Sequence, residues 1–513
     1  MKKLWFVAAS VIFLVLYLNF DSLAERLFKD IMGVEVLPME KIEELCKGKE
    51  DAFPEQEITL NGGKIPYDSE QNMLLIPQSL AEESFDGKLQ AKDGRLYFLE
   101  DEAFKDKEEA ISQNQVFRLF WVKDNQCWMY NVCFTGMPVI NITTESQTDK
   151  ERYGLIEVYD QYRGSARYQS GECSFHLRGA TSLTYEKSSY KLTLTDEKLS
   201  LLGMRKDDDW ILNALYDDEG LIHNKLSYEV WQEIAASNQV ENDEGISMEY
   251  AELFLDNEYL GIYGLMERVD KKALSLNNKD ILYKCRDQVN PGEDDFYSEL
   301  TEEMEPVFEL KYPETFTMED WEPLKSWASM FLEEASYDYE AGKAILNMEN
   351  AIDYNLFNLL ICGMDNTMKN VYFWADYQGN GSYRFIKIPW DLNMTWGNSW
   401  IDDYNCNFNR YQEKNIDSTG GFTADIYELY LRNPEEIGGM LKERWLELRE
   451  SIITKEALYE KADAEHAYLQ ASGAYVRNRQ KWPPKGEYWQ DSYLYDYINK
   501  RIDFLDSYIG QMG

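Results

Sequence analysis

Asp365, Asn370 and Asp391 are the residues whose types and spacing point most directly to chemistry. Asp365 and Asn370 stand in a D-x-x-x-x-N spacing just before the run VYFW, and the run SYRFIKI leads straight into Pro389-Trp390-Asp391. Between the two runs lies Gln378-Gly379-Asn380-Gly381, whose glycines and asparagine supply the positive backbone dihedrals of a tight reversal. The stretch 362–397 therefore reads as a loop, a hairpin and a second loop, with three oxygen ligands meeting at one end of the hairpin. Two carboxylates and an amide around one point suit a hard divalent cation such as Mg²⁺, which takes oxygen ligands and keeps several waters. A plainer reading stands beside it: solvated loop residues in Asx-turns, a pattern that a chain with 93 acidic residues also produces by chance.

The elements that must position these residues are legible from periodicity. The helical run MENAIDYNLFNLLICGM, apolar on nearly every side and so expected at the centre of the fold, delivers Asp365. Upstream, MPVINI and GLIEVYD read as paired strands, and SFHLRGATS and SSYKLTLTD as two more around a glycine turn that groups Arg178, Lys187 and Lys191. Those basic residues either grip phosphates or pair with the abundant carboxylates. The run from Asp207 to Ala236 reads as a strand, an acidic loop and a helix with Leu226, Val230, Trp231 and Ile234 on one face. A strand, an Asp256-Asn257 turn, a second strand and a helix start follow, with Glu267 at the end of the second strand. A carboxylate there either pairs a lysine across a cleft or caps the next helix. Residues 285–320 look like a charged surface insertion, and 398–434 like a loop flanking the site.

Charge and composition narrow the function classes. The chain has 513 residues, 52 basic and 93 acidic, for a net charge of −41, which argues against nucleic acid as a partner. Met1-Lys2-Lys3 precedes a seventeen-residue apolar run, residues 4–20, which as a helix reaches about 25 Å. With acidic residues after it, it reads as an anchor with the body outside the cytoplasm. A cleaved signal peptide is the alternative, with Ser22-Leu23-Ala24 the nearest approach to a cleavage site. From about Asp21 to Cys46 the pattern is that of an amphipathic helical stalk.

Seven scattered cysteines form no C-x-x-C pair; a Cys127–Cys133 bridge and free thiols are both open. Three histidines without H-x-x-x-H spacing argue against a zincin-type hydrolase or a His-based triad. Short alternating runs such as VFRLFWV and CWMYNVCF indicate a small β-rich domain before residue 136. Its Trp121, Trp128 and Tyr130 suit either core packing or a sugar-binding face.

In order and spacing, MPVINITTE, FHLRGATS with KSSYKL, LDNEYLGIYGLMERVD, DNTMKN, IPWDLNMTWG and an R-W-x-x-L-R helix beginning at Arg444 resemble the CotH kinase family over roughly residues 137–508. The resemblance implies an α+β, atypical protein-kinase-like fold with a helical C-terminal cap. With the apolar run and the alternating runs before it, the chain divides into a signal anchor and stalk (1–35), a β-rich domain (36–135), a kinase-like core (136–433) and a helical C-terminal part (434–513). The resemblance also implies transfer of the ATP γ-phosphate to Ser or Thr of exported, surface or spore-coat proteins with Mg²⁺ or Mn²⁺. Protein kinases place an Asp five positions before a metal-binding Asn and a later Asp on the metal. Carried over by position, Asp365 is the catalytic aspartate and Asn370 and Asp391 are metal ligands. Lys187 or Lys191, Arg178 and Glu267 bind or orient the nucleotide.

Two positions depart from the family pattern. R-G-N-S-S is replaced by Arg178-Gly179-Ala180-Thr181-Ser182, and the second aspartate of P-W-D-x-D by Asn393. The acidic surface suits a basic, Ser-rich protein substrate. Two other classes compete: a non-catalytic envelope or spore-coat assembly protein on the same fold, and a carbohydrate-active enzyme, which needs two acids roughly 5 to 9.5 Å apart across an open cleft. The expected location is the cell membrane, single-pass with the body outside, or alternatively secreted or in the spore coat.

Overall fold

The computed structural model describes residues 30–49, 58–160, 168–179, 181–286, 307–331, 338–367, 369–398, 423–484 and 491–512. The anchor expected at 4–20, much of the 285–320 insertion and residues 399–422 of the 398–434 loop lie outside the described residues; the rest of that stretch is not all loop, since Ala424–Arg432 forms a helix. Among the described residues no helix is long and apolar enough to cross a membrane.

Where a stalk helix was expected, residues 30–46 form two short strands, Asp30–Ile31 and Val34–Leu37, and only then a helix, Met39–Cys46. Gly33 at φ 79° turns the chain between the strands, and Val34-Glu35-Val36-Leu37 alternates with the period of a strand. Val34–Leu37 joins a seven-stranded sheet beside Arg95–Leu99, followed by Val116–Lys123, Gln126–Thr135, Met73–Pro77 and Tyr67–Asp68. Trp121 and Trp128 face each other directly across this sheet, with ring centroids 4.5 Å apart. Both are buried, as is Tyr130, so these aromatics are core and not a sugar-binding face.

Cys127 bonds to Cys46, not to Cys133, which is a buried free thiol. The bridge ties the Met39–Cys46 helix to the sheet across 81 residues of sequence. Closing so long a loop restricts the unfolded chain, so reduction, or Cys46→Ser, is expected to lower stability by roughly 2–4 kcal/mol. Urea unfolding with and without a reductant reads this directly.

Seven of the strands that follow close into a barrel, in the spatial order Val139–Gln147, Arg152–Tyr159, Gln169–Arg178, Ser189–Leu194, Asp209–Asn213, Glu258–Met266 and Met248–Leu255. Closure comes from parallel pairing of the first and last, Val139 opposite Glu252. Ile140, Ile156, Phe175, Leu192, Trp210, Leu253 and Leu265 fill the interior, which makes it a packed core. The strand pair around Asp256 and Asn257 forms as expected, both residues having positive φ, but a turn and not a helix follows Glu267.

Beyond the barrel, Phe308–Tyr312, Ile281–Cys285, Val371–Gly379 and Ser382–Pro389 form a four-stranded sheet. Met348–Ile361 packs against it and is buried along nearly its whole length. His223–Ala236 lies alongside, with Trp231 against Tyr354 and Phe357. Pro434–Arg449, Lys455–Ala471, Ala474–Lys481 and Asp491–Gly510 complete a helical C-terminal part. Arg444 of the R-W-x-x-L-R helix reaches Asp353 on the central helix, Nε to Oδ1 at 2.7 Å.

Arg477 binds the three bodies together. From Ala474–Lys481 it donates through Nε and Nη2 to both carboxylate oxygens of Glu252 in the barrel, at 2.9 and 2.7 Å. Its Nη1 donates to Asn114 Oδ1 at 2.8 Å, beside the first sheet.

Candidate functional site

The hairpin Val371–Gly379 and Ser382–Pro389 pairs Val371 with Pro389 at its base, so the loops before and after it emerge side by side. The central helix ends at Cys362, in the left-handed region at φ 52°, and Gly363 N–H donates to Asn358 O. A short 3₁₀ turn, Met364–Asn366, then presents Asp365. Asn366, fully buried, fastens the two loops together: its Nδ2 donates to Asn370 O at 3.2 Å and to Trp390 O at 2.7 Å, while its own carbonyl accepts from Tyr354 Oη. Trp390 N–H donates to Asn370 O at 3.0 Å.

Side chains are fixed with similar economy. Asn370, at φ 53°, donates Nδ2 to Asp365 Oδ2 at 2.9 Å, and Lys369 Nζ lies 3.4 Å from Asp365 Oδ1. Asp391 has φ 58°; its N–H donates to Tyr228 Oη at 3.1 Å, and the next amide, Leu392, donates to Asn224 Oδ1 at 2.9 Å. Helix His223–Ala236 thus holds the second loop by its backbone. No protein donor among the described residues reaches the Asp391 carboxylate, which is left to face a cavity.

That cavity, about 690 Å³, is lined by Asp365, Asn370 and Asp391 together with Arg178 and Gly179 from the barrel turn, Asp217, and Lys284 from the four-stranded sheet. Gly179 has φ 127°, a conformation that side chains rarely adopt, and the tight turn brings Arg178 to the cavity edge. Burial, then the charge of Asp391, raises the pKa of Asp217, which accepts from Tyr185 Oη at 3.2 Å. Burial and the charge of Asp217 push the Tyr185 phenol up to about 12. Neither Asp217 nor Lys284 stands out in the sequence as a site residue. Asp217 belongs to a stretch legible only as an acidic loop, and Lys284 to an ordinary strand.

Three residues assigned to the site by resemblance lie elsewhere. Lys187 is buried, donates to Ile262 O and Asn478 Oδ1, and sits 4.7 Å from the Tyr263 ring centroid. Burial pushes its ammonium well below the usual lysine range. It faces a separate void of about 40 Å³, bounded by Leu215 and Tyr216, which also line the main cavity. Lys191 alternates with the interior residues Tyr190 and Leu192, so it points out of the barrel, 3.7 Å from Asp209. Glu267 pairs with Arg205, Nε to Oε1 at 3.2 Å, and accepts from Ser247 N–H, so it meets neither lysine. Of the seven assigned residues, the cavity brings together Arg178, Asp365, Asn370 and Asp391.

The donor set suits a divalent cation. Among the described residues no group of three or more His, Cys, Asp or Glu is arranged to hold a metal. A cation here would rest on Asp391 and Asn370, with waters completing its shell, as Mg²⁺ prefers.

Asn366→Ala removes the amide that joins the loops and takes this donor from the Trp390 carbonyl, while Asn370 O keeps the Trp390 N–H, a cost of roughly 1–3 kcal/mol. The separation of Asp365 from Asp391 should then loosen. Unfolding measurements and Mn²⁺ affinity, followed by the metal's paramagnetism, are both expected to fall relative to the parent chain.

A family described as CotH kinase protein matches residues 175–505, a span that contains every cavity residue named above. The inner spore coat protein H of Bacillus subtilis (strain 168) is 26% identical over 230 residues, which is 43% of this chain and 58% of that protein. The chain thus spans less than two thirds of the length of this relative.

Proposed function

From the premise that this chain belongs to the CotH kinase protein family, we propose that it transfers the γ-phosphate of ATP to Ser or Thr of proteins at the cell surface or in the spore coat. The observation that carries this reading is the cavity into which three separated segments bring Arg178, Asp365 with Asn370, and Asp391, with no protein donor among the described residues reaching the Asp391 carboxylate. When bound with ATP, Mg²⁺ or Mn²⁺ would neutralise charge on the phosphates. Asp391 and Asn370 hold that cation, and Asp365, oriented by Asn370 and Lys369, accepts the proton of the attacking hydroxyl. Arg178 faces the phosphates from the barrel turn. On this reading the barrel and the helical body form the two walls of an atypical kinase-like cleft.

The relative's name, inner spore coat protein H, supports a coat or envelope location. The Cys46–Cys127 bridge agrees with an oxidising compartment outside the cytoplasm. Anchoring through residues 4–20 remains part of the proposal, as does a basic, Ser-rich acceptor for a chain of net charge −41.

The experiment is phosphate incorporation by the full chain from labelled ATP with Mg²⁺ or Mn²⁺ and basic Ser-rich acceptor peptides. Metal-dependent incorporation on serine or threonine is the expected result. Neither transfer nor metal-dependent nucleotide binding would leave the coat-assembly scaffold as the better description of this fold.

A further inference from the structure

Lys284 lies in strand Ile281–Cys285, directly opposite Tyr372. Its neighbours Tyr283 and Cys285 are fully buried on the core side, so strand alternation turns Lys284 to the cavity. The ammonium stands 5.7 Å from the centroid of Tyr372 and 5.5 Å from that of Trp390. The guanidinium of Arg178 stands 5.8 Å from the same indole. Among the described residues neither cation makes an ion pair or a hydrogen bond to the protein.

The chain carries 93 acidic residues against 52 basic ones, so carboxylate partners are plentiful. Lys191, Arg205, Arg268, Lys272, Arg444 and Arg477 all have carboxylate partners. Ring faces attract cations, but they do not replace the hydration that a half-buried ammonium gives up. Burial, with the charge of Arg178 added, brings the Lys284 pKa down to about 8, Asp391 opposing. Two like charges against one ring, beside the aspartate that faces the cavity, are arranged for an anion yet to arrive.

We propose that Lys284, paired with Arg178 across the Trp390 indole, is the lysine that holds the phosphates of a nucleoside triphosphate in this cavity, in place of the buried Lys187. The inference rests on the nucleotide reading above. It places the phosphates next to Asp391 through Trp390, the residue that precedes it.

Calorimetric titration of the full chain with MgATP and with adenosine, for the parent, Lys284→Met and Lys284→Arg, tests it. MgATP affinity is expected to fall at least tenfold in Lys284→Met and to recover largely in Lys284→Arg, with adenosine affinity the same in all three. Equal MgATP affinity in the parent and Lys284→Met overturns the assignment and leaves the nucleotide reading standing. A parent chain that binds neither ligand overturns both. A second measurement needs no variant: acetic anhydride labelling of the parent, read by mass spectrometry, should show Lys284 protected severalfold by saturating MgATP. Equal labelling with and without bound MgATP overturns the assignment even if Lys284→Met does not fold.

Discussion

Replacing Asp391 by asparagine is expected to lower phosphate transfer from ATP by roughly 10³-fold, the scale of losing one charge-stabilising group in a site. The fold should persist. The Asp391 backbone is held by Tyr228 Oη and its neighbour's by Asn224, and the side chain has no protein donor among the described residues to lose. Asparagine keeps the shape and a carbonyl oxygen but removes the negative charge that attracts Mg²⁺. The deficit should therefore shrink as the metal concentration is raised. Asp365→Asn should behave differently, because that carboxylate is already engaged by Asn370 and Lys369; its loss is expected in turnover and not in metal affinity. Labelled-phosphate incorporation across a Mn²⁺ titration separates the two. Unchanged transfer in Asp391→Asn would remove this residue from the reaction.

Arg477→Met is expected to destabilise the protein by about 3–5 kcal/mol, the cost of leaving one partner of a buried ion pair uncompensated. Glu252 is fully buried and accepts two bonds from this guanidinium and one from Tyr259 Oη at 2.6 Å. Without Arg477 its charge remains in the interior with a single hydroxyl donor among these contacts. The double variant Arg477→Met with Glu252→Gln should recover much of the loss, since it removes the stranded charge as well. Urea denaturation of the four chains, parent included, gives the coupling. Equal midpoints for parent and Arg477→Met would mean that the bridge between the barrel, the first sheet and the C-terminal helices carries little of the stability.

Sequence reading reached the hairpin, its turn and the carboxylates at its base because these depend on neighbours a few residues away. Gly379, Asn380 and Gly381 all have positive φ, as their types require, and the strands they join pair over Val371–Gly379 and Ser382–Pro389. Alternation likewise sufficed for the strands on either side of Asp256-Asn257, and the 3.6-residue period for the buried face of His223–Ala236. The same local logic misled in one stretch and left another undecided. Residues 30–37 read as part of a helix, but Gly33 and the Val-Glu-Val-Leu alternation make strands. Trp121, Trp128 and Tyr130 left core and surface open, because alternation says that a face differs from its opposite, not which sheet or helix covers it.

By itself, then, the sequence determined the mixed α+β class, the hairpin that carries Asp365, Asn370 and Asp391 at its base, and the family. Tertiary structure alone decided the rest. Closure of the barrel through Val139–Gln147 against Met248–Leu255 joins residues more than a hundred positions apart, a pairing without local signature. That closed barrel buries Lys187 against Ile262 and Asn478 and turns Lys191 toward Asp209, while an unremarkable strand brings Lys284 to Trp390. The partner of Cys127 depended on bringing Cys46 to a Cα distance of 5.6 Å. A lysine or a cysteine carries the same side chain wherever it stands; its partner is set by which distant backbone the fold places within reach.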